Sequence, residues 1–154
     1  MTTSIKLFAG ELKLSYRYGQ PYCRRAKLTN SKEAYTCLKL LYTDDIIELR
    51  EQVIVLYLDF AASLMGYQVV GIGGSRSCQP DKKLIFQGAL LSNASAIILC
   101  HNHPSGSAEP SPQDNELTDT LAKACDVMGI GFVDHIILTS EAYFSYADNG
   151  MLKR

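Results

Sequence analysis

The sequence predicts an α/β fold in which a mixed β-sheet is flanked by helices. Short apolar runs of strand length, 53–58 and 96–100, are interleaved with segments of helical period at 31–42, 81–91 and 112–128. Neither repeats nor low-complexity tracts interrupt that alternation. The chain has 154 residues, 47% hydrophobic and 20% charged, enough for one domain with a substantial core.

Taken in order, residues 4–18 alternate loosely through Ile5, Leu7, Leu12, Leu14 and Tyr16, as one strand or a pair of strands would. Gln20 to Asn30, with Pro21, is a connector, so 1–30 reads as an N-terminal strand or extension ahead of a domain at 31–154. Ser31 opens a helix with Ala34, Leu38 and Leu41 on one stripe, ending near Tyr42. After Asp44–Arg50 comes Val53–Leu58, the strongest strand signal in the chain by its β-branched and apolar content. A hairpin through Ser63–Gly66 is predicted to lead into a strand at Tyr67–Ile72. Gly71-Ile72-Gly73-Gly74 lacks a following Lys and the spacing of a phosphate loop, and so reads as a strand-end turn or bulge. Pro80 starts a helix over roughly Asp81–Leu91, which leads into the buried strand Ala96–Cys100. Pro112–Met128 is a third helix with Leu117, Leu121, Ala124 and Val127 inward, ended by Gly129-Ile130-Gly131. Phe132–Leu138 and Tyr143–Ala147 complete the sheet.

Composition excludes several classes of function. A net charge of -1 and a pI of about 6.3 give no general attraction to phosphate backbones. The one basic cluster, Arg24-Arg25-Ala26-Lys27, is far short of a nucleic-acid footprint. No apolar run approaches the roughly 18–20 residues that span a bilayer, and the N-terminus lacks the pattern of a secretory signal, so a cytoplasmic location is expected. The five cysteines are odd in number and form no Cys-x-x-Cys, which argues against a disulfide framework or a zinc knuckle. Cys100 abuts His101, but adjacent strand residues face opposite ways, so the two cannot act as a nucleophile and its base.

The most informative stretch is HNHPSGSAEPSPQD, beginning at His101. If the preceding strand runs on through His103, both imidazoles point to one face, with Cα atoms about 6.6 Å apart. Their nitrogens can converge on one ion at about 2.0–2.1 Å, and Asp114 can add an oxygen from the next element. Two His and one Asp leave a tetrahedral zinc one open position for water, the arrangement of a catalytic site. Ser111-Pro112-Gln113-Asp114 is also a helix start, with Ser at the N-cap, Pro at the first position and Asp completing a capping-box-like pair. The two roles are compatible, since a helix N-terminus holds an ionised Asp comfortably.

His101, His103, a gap of seven residues, Ser111, two more, then Asp114 resembles the JAMM signature of the JAB/MPN metallopeptidases. The string HNHPSG, with Asp134-His135 and Tyr143-Phe144-Ser145-Tyr146-Ala147 downstream, resembles the bacterial RadC-like branch in particular. The resemblance runs from about Ile47 to the C-terminus. Peptidase branches carry Ser or Thr where this chain has Asn102, whereas Asn is usual in the RadC-like branch. The resemblance implies an MPN fold with a layout related to cytidine deaminase. It also implies an upstream glutamate, which selects Glu51 over its competitors Glu48 and Glu109. The resemblance also implies a helix-hairpin-helix-like region in full-length relatives, and none is expected within this sequence.

What the resemblance implies in activity is zinc-dependent hydrolysis of an amide or isopeptide bond in a peptide or protein substrate. His101, His103 and Asp114 would hold Zn²⁺, Glu51 would act as general base, and the Ser111 hydroxyl would donate to the oxyanion. His135 is not among the signature's ligands and takes a supporting role, its ring held by a backbone or carboxylate partner. Deamination is excluded, because it needs His-x-Glu and Pro-Cys-x-x-Cys, and no His-Glu-x-x-His occurs. The competing readings are a catalytically silent MPN interaction module and a metal-dependent, DNA-associated RadC-type protein. Leu7, Leu12 and Leu14 are apolar positions through which a second copy could pair.

Overall fold

The computed structural model describes residues 21–74 and 78–152, together with Lys13, Ser15, Tyr16, Arg17 and Gly19. The strands expected at 4–18, and the leucines offered there for self-association, lie largely outside the described residues. A single 3-10 turn at Tyr22–Arg24 precedes helices α1 (Ser31–Leu41) and α2 (Asp44–Ile47). Then follow β1 (Gln52–Leu58), β2 (Leu64–Ile72), α3 (Lys82–Ser92), β3 (Ala96–Asn102), α4 (Pro112–Met128), β4 (Gly131–Leu138) and β5 (Tyr143–Ser145).

Among the described residues the strands form one mixed sheet in the order β2-β1-β3-β4-β5. The β1/β2, β1/β3 and β4/β5 pairs are antiparallel, whereas β3 and β4 run parallel. A parallel pair needs a crossover, and α4 provides it. β1 and β3 are buried almost throughout, which is why each reads as an unbroken apolar run with no alternation to betray its two faces.

Alternate residues of these strands feed two cores. Val53, Val55, Ile97 and Leu99 meet Ile85 and Ala89 of α3 and Leu121 and Cys125 of α4 on one face. Ile54, Leu56, Ile98, Cys100 and Ile136 meet Ala34 and Leu38 of α1 on the other. Burying an aliphatic side chain of this size contributes roughly 1.5–3 kcal/mol, so both helical layers are held mainly by apolar contact.

Two sequence expectations are corrected. The hairpin turn is not at Ser63–Gly66: β2 already begins at Leu64, and the reversal lies at 59–63. Asp59 makes that reversal, its Oδ1 accepting from the backbone N–H of Ala61 (2.9 Å) and Ser63 (2.9 Å). On α4, Val127 points outward and is 87% exposed. The buried stripe runs instead through Thr118, Leu121 and Cys125, because the helix rests on the sheet by the face that also carries Asp114. Gly71, in the glycine-rich run, is where the segment entering α3 crosses β2. A Cβ there would lie 2.8 Å from Cys78 Sγ and 3.2 Å from the Pro80 Cα, so the close approach requires glycine.

Asn102, buried on the face of β3 opposite His101 and His103, organises the chain ahead of β1. Its side-chain oxygen accepts from the Gln52 N–H (2.8 Å), and its amide donates to the carbonyls of Arg50 (2.9 Å) and Ile47 (2.8 Å). The amide therefore grips the residues on both sides of Glu51. Asn102→Ala leaves these groups without partners. An unsatisfied buried polar group costs about 1–3 kcal/mol, so the substitution is expected to destabilise the fold by roughly 2–4 kcal/mol, measured from denaturant unfolding curves.

Candidate metal centre

Period-two alternation brings His101 and His103 to one face of β3, although β3 itself ends at Asn102. His103 stays in line because its N–H donates to the Leu138 carbonyl of β4 (2.9 Å). The chain then turns sharply: the Gly106 N–H bonds the His103 carbonyl (3.1 Å), with Gly106 at φ 81 in the left-handed region. That turn lets the Ser107 carbonyl accept from His103 Nδ1 at 2.8 Å. A carbonyl can only accept, so the neutral His103 ring carries its proton on Nδ1 and leaves Nε2 bare, whereas the protonated ring also donates from Nε2 to Asp114.

The N-terminus of α4 closes the site. Ser111 and Asp114 form a capping box: the Asp114 N–H bonds Ser111 Oγ (3.2 Å) and the Ser111 N–H bonds Asp114 Oδ2 (2.8 Å). The Ser111 hydroxyl also donates to Asp114 Oδ2 at 2.6 Å. The capping and ligand readings of Asp114 thus coexist in one side chain. Its Oδ1 lies 3.0 Å from His101 Nε2 and its Oδ2 3.4 Å from His103 Nε2, while the two Nε2 atoms are 2.9 Å apart.

These separations suit a small cation. Tetrahedral bonds of about 2.0–2.1 Å put neighbouring donor atoms about 3.3–3.4 Å apart, a few tenths of an ångström from the separations seen between the two imidazoles and the two carboxylate oxygens. A bare nitrogen, a second imidazole nitrogen and a carboxylate all face one point. Among the described residues, His101, His103 and Asp114 are the group of His, Cys, Asp or Glu able to hold a metal ion. Burial alone would raise the Asp114 carboxyl, but hydrogen bonds from protonated His101 and His103, the charge of His101 and the Ser111 hydroxyl hold it far below the usual carboxylate range. The hydrogen bond to Asp114, opposed by burial, raises His103 above its ordinary value.

The three candidate glutamates are sorted by position. Glu48 and Glu109 are exposed, whereas Glu51 is half-buried. In the antiparallel β1/β3 register the last pair is Val53 with His101, so Glu51, two residues before Val53, lies at the end of the sheet where His103 follows His101. The Glu51 charge bears on His103 and on Cys78, helping to raise both. An open cleft of about 140 Å³ is lined by Asp114 and lies between α4 (Gln113, Leu117, Thr120) and the Cys78–Pro80 segment.

His135 lies directly behind His101, and its partners differ from the backbone or carboxylate expected. His135 Nε2 is 2.9 Å from His101 Nδ1, and His135 Nδ1 is 2.6 Å from Thr118 Oγ1. Burial, aided by the neighbouring His101, holds His135 well below the ordinary histidine range, so it is neutral. Tyr146 stacks on its ring at 4.9 Å and 9°. The adjacent Asp134 faces the other side of β4 and clamps the turn that seats Tyr146, accepting from Ser145 Oγ (2.5 Å) and the Ala147 N–H (2.9 Å). Cys100, on the far face, is fully buried, and that burial pushes its thiol far up, as suits a core residue. Asn102, Thr118 and the orientation of His135 were beyond sequence reasoning. Only the His-x-His and Asp134-His135 patterns signalled that the surroundings mattered.

Fold and donor set together define a JAB/MPN-type domain with a candidate His/His/Asp metal site. The chain belongs to the RadC-like JAB domain family, whose profile matches residues 28–151. It is similar to the UPF0758 protein of Aquifex aeolicus, 38% identical over 128 residues, which cover 83% of this chain and 54% of that protein. The UPF0758 protein of Porphyromonas gingivalis is 38% identical over 143 residues, covering 92% of this chain and 62% of that protein. That of Thermotoga maritima is 34% identical over 127 residues, covering 82% and 55%. The chain thus spans little more than half the length of these relatives. Among the described residues, no helix is long and apolar enough to cross a membrane.

Proposed function

We propose that the chain is a zinc-dependent hydrolase of amide or isopeptide bonds in a peptide or protein. The observation that carries this reading is the convergence of three donors, one of which, Asp114, lines an open cleft, with the charge of the half-buried Glu51 bearing on His103. His101, His103 and Asp114 would hold the zinc. When bound, zinc supplies a Lewis acid for the substrate carbonyl and brings the pKa of water from about 15.7 towards 7. Glu51 takes the proton of the attacking water and returns it to the departing amine. The Ser111 hydroxyl, which caps Asp114 in this structure, turns toward the oxyanion as it forms. The cleft beside Asp114 receives the chain of the substrate and orients its carbonyl.

The near-neutral charge of the chain supports a peptide substrate over a phosphodiester. The test is to incubate the purified chain, with zinc and with a chelator, against peptide, isopeptide-linked and nucleic-acid substrates. Peptide or isopeptide cleavage that a chelator abolishes and zinc restores is the expected result. Cleavage of nucleic acid alone would replace the reading with a nuclease, and a zinc-loaded chain that turns over nothing would replace it with an interaction module.

A further inference from the structure

Behind His101, away from the cleft, three buried groups stand in file. Thr118 Oγ1 is 2.6 Å from His135 Nδ1, and His135 Nε2 is 2.9 Å from His101 Nδ1. The same Thr118 oxygen lies 2.7 Å from the Asp114 carbonyl, one helical turn back. The bonding of this file is determined as soon as a cation occupies His101 Nε2. A neutral imidazole bound through Nε2 carries its proton on Nδ1. That proton points at His135 Nε2, which must therefore be bare, and His135 must carry its own proton on Nδ1. The His135 proton in turn needs an acceptor, and the only one in the file is Thr118 Oγ1. The hydroxyl can accept because its single proton has somewhere else to go, the Asp114 carbonyl.

We infer that Thr118 and His135 are positioning residues for the metal ligand His101, with the Thr118 hydroxyl as the terminal acceptor that keeps His101 Nε2 bare. The inference deepens the zinc reading above and concerns how the ligand is prepared, not what is cleaved. It accounts for a hydroxyl buried on the inner face of α4, at a position where an aliphatic residue would otherwise serve the core. It also accounts for the hold on the His135 ring: stacking by Tyr146 stops the ring from tilting away from the line between Thr118 and His101. Tyr146 is itself tied to α4, its hydroxyl donating to Asn115 Oδ1 at 2.8 Å. Valine at 118 would match threonine in shape but leave the His135 Nδ1–H with no acceptor. The alternative tautomer of His135 would set one N–H against another at His101 Nδ1. Either outcome weakens the ligand.

The test measures zinc affinity by competition with a chromophoric chelator for the whole chain and its Thr118→Val and Thr118→Ser variants. Losing a group that orients a ligand costs about 10–100-fold in metal affinity. Thr118→Val is expected to bind zinc weaker by about that factor, and Thr118→Ser to bind like the parent. Thermal unfolding of the metal-free variants controls for packing, which valine preserves. A second readout is the ¹⁵N–¹H spectrum of the imidazoles in the zinc-loaded chain, where both His101 and His135 are expected as Nδ1–H tautomers. Unchanged zinc affinity in Thr118→Val, or His135 present as the Nε2–H tautomer, overturns the inference. A chain that binds zinc as described but cleaves no peptide overturns the hydrolase reading alone, and a chain that takes up no zinc overturns both.

Discussion

Glu51→Gln is expected to keep its zinc and lose its turnover. The substitution preserves shape and hydrogen-bonding reach but removes the basic oxygen, so proton transfer from the attacking water loses its acceptor. General-base catalysis is worth about 10²–10⁴-fold, and a fall of that size in kcat is expected, read on whichever peptide the substrate screen yields. Elemental analysis run alongside should return the same zinc content as the parent, because Glu51 lies outside the donor triangle of His101, His103 and Asp114. Full activity in Glu51→Gln would remove the residue from the mechanism and return attention to its exposed neighbours Glu48 and Glu109. The effect should also be separable from loss of fold, since the backbone around Glu51 is held by Asn102 through Arg50 and Gln52 rather than by the Glu51 carboxylate.

His103→Ala is expected to lose metal and activity together. It removes one of three donor residues whose facing atoms lie 2.9–3.4 Å apart, and two remaining donors do not hold zinc against solvent and buffer. Elemental analysis of the purified variant should find zinc below the detection limit, where the parent is expected to carry one equivalent. A variant that still binds an equivalent of zinc would show that the ion sits elsewhere. The parent should show the same loss as a function of pH. The hydrogen bond to Asp114 raises His103 above its ordinary value near 6.5 in the metal-free chain, and protonation at Nε2 excludes the ion. Zinc occupancy therefore falls as the pH drops through that raised value and recovers above it, as a pH titration of zinc affinity would report.

The fold was readable wherever one element carries its own periodicity. α1 and β4 appear within a residue or two of the expected ranges, and α4 matches its expected range, because capping residues and apolar spacing act over a single helical turn or a few strand residues. The turn between β1 and β2 was misplaced because Gly66 is a conspicuous turn residue by type, whereas the actual reversal depends on Asp59 reaching two N–H groups beyond it. Val127 was assigned inward from spacing alone. Helical period restricts which residues share a face, but the way the helix is rotated on the sheet decides which shared face is buried.

The same division applies at the site. Sequence by itself determined that His101 and His103 share one face, because strand side chains alternate with period two, and that Ser111 and Asp114 meet, because a capping box joins positions three apart in the first turn of a helix. Both are local rules that hold whatever the rest of the chain does. Only the tertiary structure decided that Glu51, unlike the exposed Glu48 and Glu109, is half-buried with its charge bearing on His103, since the β1/β3 register brings the start of β1 beside the end of β3. It alone set the Asn102 amide around Glu51 and lined up Thr118 and His135 behind His101. Those partners come from separate elements brought together by the packing of α4 and β1 against β3, and no spacing along the chain encodes a distance that packing creates.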